Sequence, residues 1–255
     1  MARPSSRFFV VVSIFMISML ILPQLTGLIT QRLLKWARPE LDPSQVGGLV
    51  LIFSLFFQEV FLALGSYIGL IQIAPQVLTG FGRPRRRGYI KTGVIYGLFL
   101  SAVNVLTGRV SLVLIQRIVQ GLTGSTQLVQ QWVGREQQMS SRLFDLSLPV
   151  VYVLALGVLI VVIVPFAEEL FFRGLTLGAF KERLGTTGAM VFSSLFFSLA
   201  HLYIINFFPV FVLGALLALL YERTRSLVPC IIAHATVNGI AVLLILLQTV
   251  VLTYQ

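Results

Sequence analysis

The chain predicts an all-α fold: a polytopic membrane bundle of about seven to eight transmembrane helices enclosing a polar cavity. Three observations predict it. Of 255 residues, 57% are hydrophobic and only 11% charged, against about 25% charged in soluble domains. The apolar residues form continuous runs near the roughly 20 residues that span a bilayer as a helix, not the alternating segments of about ten residues of a membrane β-barrel. The buried polar residues with chemical potential fall in three islands in the C-terminal half.

Taken in order, Phe8–Ile29 is the first span. The preceding Met-Ala-Arg-Pro-Ser-Ser-Arg resembles a signal peptide. The apolar run outlasts a signal core and no small-residue cleavage pattern follows, so a retained helix is expected. Val46–Ala74 is the second span; its Glu59 should face the bundle. Gly88–Leu106 is the third. Val110–Leu122 carries Arg117 and is too short to cross alone, so it should lie at the interface or re-enter. Thr123–Leu146 is polar and reads as the longest loop. Leu148–Phe166 spans and should continue helically through a Glu-Glu pair to about Gly178. Thr187–Leu202, Phe207–Tyr221 and Leu227–Val251 complete the set, with a turn at Tyr203–Asn206. Residues 1–147 thus hold the N-terminal membrane helices and a connecting loop. Residues 148–255 hold a catalytic core of helices, and the two form one integrated membrane domain. There is no internal repeat and no low-complexity segment.

The formal net charge is +10. No aromatic-interleaved basic tract or zinc-finger spacing accompanies it, so nucleic acid is not an expected partner. Instead the basic residues orient the chain and meet anionic lipid, above all near Arg83, Arg85, Arg86 and Arg87. With Lys91, these residues form the strongest basic loop. Lys181 with Arg183, and Arg223 with Arg225, form two more. Seven spans with the N-terminus inside put all three in the cytoplasm, provided Val110–Leu122 does not cross. Arg32, Lys35 and Arg38 then fall outside, against the rule. The expected location is a bacterial inner membrane. The single cysteine, Cys230, rules out an internal disulfide.

The first island is Glu168, Glu169 and Arg173. Adjacent residues on a helix point about 100° apart, while positions four apart share a face. Glu169 can therefore pair with Arg173 while Glu168 turns elsewhere as a candidate general base. Pro165 should loosen the turn before it and make room for water. The second island is His201, with Phe197 one turn earlier. The third is His234 with Asn238 on one face, two hydrogen-bond donors able to polarise a carbonyl. A charged centre in lipid costs roughly 2.5–3.5 kcal/mol on insertion scales, so three islands imply one shared site. Blander readings stand beside this one: an interfacial ion pair, an interfacial histidine, and interhelical hydrogen bonds of about 0.6 kcal/mol. Cys230 lies four residues before His234, but a buried cysteine is usually only a small apolar side chain. Ser193, Ser194 and Ser198 read as helix-packing residues.

Known intramembrane peptidase patterns narrow the chemistry. A His-Glu-x-x-His zinc motif is absent, as is a rhomboid-like Gly-x-Ser-Gly. The only aspartates, Asp42 and Asp145, lie in predicted loops, unlike a presenilin-like pair. What remains is Glu-Glu-x-x-x-Arg, then Phe-x-x-x-His, then His-x-x-x-Asn, in that order on successive apolar segments. This arrangement resembles the CAAX prenyl protease and bacteriocin-processing family, also called CPBP or Abi intramembrane proteases. The resemblance covers about Leu148–Ile245. It implies a helical bundle around a conical cavity open to the cytoplasmic side. It implies that Glu168 and His201 activate water, that His234 and Asn238 stabilise an oxyanion, and that Glu169 and Arg173 hold the site together. The substrate would be a membrane-associated protein or peptide, prenylated and CAAX-like or bacteriocin-like.

Some members are described as metalloproteases. Glutamate and histidine could ligate a divalent ion such as zinc, yet the set suits metal-free general-base catalysis equally. No tightly bound cofactor is expected. Two other classes fit the same residues: a non-catalytic immunity or scaffold protein, and a proton-coupled transporter using Glu59, Glu168 and His201.

Overall fold

The computed structural model describes residues 4–81, 88–143 and 149–253. The described residues are helical throughout apart from short connections. Helices α1 (Pro4–Met16) and α2 (Leu22–Ala37) run on through a π turn at Ile17–Ile21. Then follow α3 (Pro43–Ile73), α4 (Pro75–Phe81), α5 (Tyr89–Thr123) and α6 (Gln127–Leu143). Next, α7 (Val150–Val158), a π turn (Leu159–Ile163), α8 (Val164–Glu169), a second π turn (Leu170–Thr176) and α9 (Leu177–Ala200) form one run. The chain ends with α10 (Phe207–Thr224) and α11 (Leu227–Thr253). Among the described residues six runs are long and apolar enough to cross a membrane, and side chains on them such as Leu28, Ile68, Leu106 and Leu154 are exposed. The protein is an integral membrane helical bundle.

Two of the expected segments differ, Val110–Leu122 and Thr123–Leu146. Leu148–Phe166, continued helically to about Gly178, and Thr187–Leu202 do not: they are two helical arms divided where Gly185 leaves helical geometry (φ 67°, ψ 176°). A positive φ is open to glycine at little cost. Val110–Leu122 is no separate segment; α5 continues through it to Gly124, which caps the helix at φ 71°. Nothing between Leu106 and Val110 breaks the helix, and Ser111 is buried on it, donating to Ile205 O at 2.7 Å. The expected loop Thr123–Leu146 contains α6 instead. Its glutamines read as loop, but Val129, Val133 and Glu136 recur at i, i+4 and i+7, a helical face. Arg83, Arg85, Arg86 and Arg87, expected to meet anionic lipid, lie outside the described residues, as does Asp145.

Packing explains how distant segments meet. Gly93 and Gly97 form a Gly-x-x-x-Gly face on α5. A Cβ on Gly93 would lie 2.6 Å from Ile232, and one on Gly97 would lie 2.5 Å from Thr236. With no driving force from water, membrane helices associate through such close backbone approach, and here α5 seats α11. The core between helices is Leu62, Leu70, Leu100, Phe171, Phe172, Leu175, Phe197, Leu217 and Ala233. Three basic side chains meet their acidic partners at one end. Arg7 pairs with Glu182 at 2.6 Å, while Lys181 and Arg225 both reach Glu222, at 2.7 and 2.8 Å. The N-terminal helix and both basic turns therefore share one end. At the other turn, Asp42 caps α3 in a reciprocal box with Gln45, and Arg38 pairs with Glu40.

Candidate active site

Glu168 and Glu169 close α8, a segment of only 6 residues held between two π turns. Proline explains the first turn. The Val164 N–H reaches Leu159 O, five residues back. In that register Pro165 should next serve Ile160 O, but it has no N–H. The Asn238 side chain serves it instead, Nδ2 donating to Ile160 O at 2.9 Å. Beyond Glu169 the second π turn carries Arg173 inward. Such insertions re-aim side chains and recur at functional sites.

Glu169, Arg173 and His234 form one buried network. Arg173 is 1% exposed and Glu169 0%, so neither charge has water to lean on. Glu169 Oε1 accepts from Arg173 Nη1 at 2.7 Å and from His234 Nδ1 at 2.9 Å. Arg173 Nη2 donates to Gly214 O at 3.1 Å, and the guanidinium lies 4.6 Å from the centre of the Phe197 ring. Because Nδ1–H points to a carboxylate, His234 turns Nε2 the other way, to 3.7 Å from Glu168 Oε2. That oxygen is buried without a hydrogen-bond partner among the described residues. The two adjacent carboxylates thus flank one imidazole, the first engaged and the second available.

His201 joins through Phe197. Its Nδ1 is 2.8 Å from Phe197 O, which fixes Nδ1 as the donor and leaves Nε2 as the acceptor. Phe197 contacts both imidazoles, 4.7 Å from the His201 ring centre and 5.7 Å from that of His234. Gly185, where helical geometry breaks, lies midway in sequence between Glu168 and His201. His201 ends α9, and Leu202 follows in the left-handed region at φ 55°. Asn238 shares the helix face of His234 but commits one amide hydrogen to Ile160.

Other residues take quieter places. Cys230 is buried with Sγ directed at Leu217 O and Ser226 O, at 3.7 and 3.6 Å. Ser193 donates across to Phe172 O at 2.8 Å and Ser198 to Phe207 O at 2.5 Å, while Ser194 bonds within its own helix. Glu59 is 1% exposed, accepts from Gln58 and keeps Oε2 buried without a partner among the described residues. It lies within electrostatic reach of Glu168.

One residue of the site region escaped the sequence reading. Glu136 on α6 accepts from the Ile204 and Ile205 backbone N–H groups at 2.7 and 2.8 Å, and from Asn206 Nδ2 at 2.7 Å. It fastens the turn that follows His201. Tyr203 sits in that turn, its ring 6.0 Å from His201. Burial pushes its hydroxyl above the usual tyrosine range, and the charges of Glu136 and Glu168 add to the effect. The signal was the i, i+4, i+7 face of α6.

A metal needs about three protein ligands even in an open catalytic site. Among the described residues no three His, Cys, Asp or Glu side chains are grouped to hold one. Glu169 Oε1 is taken by Arg173 and His234, and His234 Nδ1 by Glu169.

Fold and site together define a polytopic membrane protein built around a buried carboxylate–imidazole centre. Residues 150–240 match the family described as "Type II CAAX prenyl endopeptidase Rce1-like". All seven motif residues, Glu168 to Asn238, fall inside the match. The chain is also 29% identical over 126 residues, 49% of its length, to "Putative membrane peptidase YdiL" of Bacillus subtilis (strain 168). It spans about half the length of that curated relative, 50%. No solved structure matches the chain.

Proposed function

We propose that this protein is an intramembrane endopeptidase of the CAAX protease and Abi type, acting on a membrane-associated protein or peptide, prenylated and CAAX-like or bacteriocin-like. The observation that carries the reading is His234 held between an engaged Glu169 and an available Glu168. The family match over 150–240 supports it.

In the mechanism, a water lies between Glu168 and the acceptor Nε2 of His201. Glu168 removes a proton as the oxygen attacks the peptide carbonyl carbon, while His201 accepts the water's second hydrogen and orients it. The carbonyl electrons move onto oxygen. His234, doubly protonated, donates Nε2–H to that oxyanion while Nδ1–H remains on Glu169. Before the attack Glu168 and Glu169 balance Arg173 and His234; after it Glu168 is neutral and the oxyanion takes over its charge, so the buried site carries no net charge in either state. Collapse of the intermediate breaks the C–N bond, and Glu168 returns its proton to the leaving amine. Arg173 and Phe197 keep Glu169 and both imidazoles in place. The basic end, with Lys181, Arg183, Arg223 and Arg225, faces the cytoplasm of a bacterial plasma membrane.

Comparative peptidomics of cells carrying wild type or Glu168→Gln tests the reading. New peptide termini should appear only with wild type. The same termini at the same abundance with Glu168→Gln would overturn it.

A further inference from the structure

We propose that Asn238 is a positioning residue whose side-chain N–H stands in for the backbone N–H that Pro165 lacks. Three facts on different elements carry this. The turn before Pro165 is in i−5 register, with Val164 N–H on Leu159 O. The next acceptor in that register is Ile160 O, whose natural donor is the proline nitrogen. Asn238 Nδ2 donates to that oxygen at 2.9 Å. In lipid no water relieves an orphaned carbonyl, so a proline here needs a donor from a neighbouring helix.

The consequence reaches the reacting groups. Pro165 lies one turn before Glu168, and His234 lies one turn before Asn238 on α11. One face of α11 thus holds both sides of the gap: His234 on the carboxylate pair and Asn238 on the bend that aims Glu168. The clamp sets the 3.7 Å separation of His234 Nε2 and Glu168 Oε2. Asn238 then serves hydrolysis through Glu168, by the amide hydrogen it places on Ile160 O. This catalytic consequence rests on the peptidase reading; the clamp itself does not.

A cycle of four proteins in lipid nanodiscs tests it: wild type, Asn238→Ala, Pro165→Ala and the double variant. Unfolding is followed by labelling of Cys230, buried in the fold, and hydrolysis is followed as kcat, KM and the pH profile of kcat/KM. Asn238→Ala is expected to lower Tm by about 3–8 °C, to reduce kcat about tenfold or more with KM little changed, and to displace the acid limb of the profile. In the Pro165→Ala background a backbone N–H is restored, and Asn238→Ala should cost less than half of each effect. Equal losses in both backgrounds overturn the proposal. Thermal rescue without recovery of kcat and the pH profile also overturns it, assigning Asn238 to direct contact with the oxyanion. Asn238→Leu, of similar volume and without a donor, covers the case in which Pro165→Ala does not fold: an unchanged Tm refutes the clamp. A wild type without hydrolysis would sink the peptidase reading while the thermal arms still decide the clamp.

Discussion

Arg173→Met removes the guanidinium from the buried Glu169–Arg173–His234 network. Arg173 is 1% exposed and its partner Glu169 0%. The change takes away the 2.7 Å ion pair, the 3.1 Å bond to Gly214 O and the cation over Phe197 at 4.6 Å. Breaking a buried pair from one side costs about 3–5 kcal/mol, because the remaining charge is stranded. At about 2–4 °C per kcal/mol for a protein of this size, Tm should fall by roughly 10 °C. Arg173→Lys keeps the charge but not the fork that serves Glu169 and Gly214 together, so a loss of about 1–3 kcal/mol is expected. Cys230 is the only cysteine and is buried, so a thiol-reactive fluorophore reads unfolding in detergent or nanodiscs. If Arg173→Met unfolds within about 2 °C of wild type, Glu169 is not a stranded charge and the ion-pair argument is wrong.

Three further outcomes are expected. Gly97→Ala places a methyl 2.5 Å from Thr236 Cβ and 2.7 Å from the Ala233 backbone oxygen; overpacking of about 1–3 kcal/mol should appear as a lower Tm, and an unchanged Tm would mean that α5 and α11 separate freely. Glu136→Gln exchanges a charged acceptor of three hydrogen bonds for a weaker one; amide exchange at Ile204 and Ile205 should speed up about tenfold or more while exchange in α10 stays constant, and unaltered protection would detach Glu136 from the His201 turn. Asp42 is held below its ordinary value of 3.8, first by the Ser44 hydroxyl and then by the Gln45 N–H. A depressed acid contributes stability above its unfolded pKa and loses it as pH falls through the folded one. Amide protection in the first turn of α3 should therefore be constant from pH 7 to pH 5 and drop only below about pH 3.8, whereas loss already at pH 5 would contradict the cap.

The apolar runs made the spans legible, because lipid demands length and apolarity and leaves little room for other solutions. The ordered pairs at four-residue spacing, Glu169 with Arg173 and Phe197 with His201, were legible because a helix puts such residues on one face. Other features lay beyond the pattern. The glutamines of α6 hid a helix whose inward face is short, and with it Glu136. Gly93 and Gly97 carry no hydropathy signal, although they set the α5–α11 contact. The partner of Asn238 depends on a missing N–H seventy-three positions earlier in the chain, a relation visible only once the π register is known. Spacing alone gives His234 and Asn238 one face, but not that Glu169 takes Nδ1 of the first and Ile160 takes an amide hydrogen of the second.

The central claim is that Glu168 activates water for peptide hydrolysis. A membrane-tethered peptide substrate identified by peptidomics, incubated in proteoliposomes in water enriched in oxygen-18, tests it most directly by mass spectrometry. Wild type should give a new C-terminus carrying one oxygen-18 atom, and Glu168→Gln should slow its formation by at least about a hundredfold. Labelled product at the wild-type rate from Glu168→Gln would contradict the account.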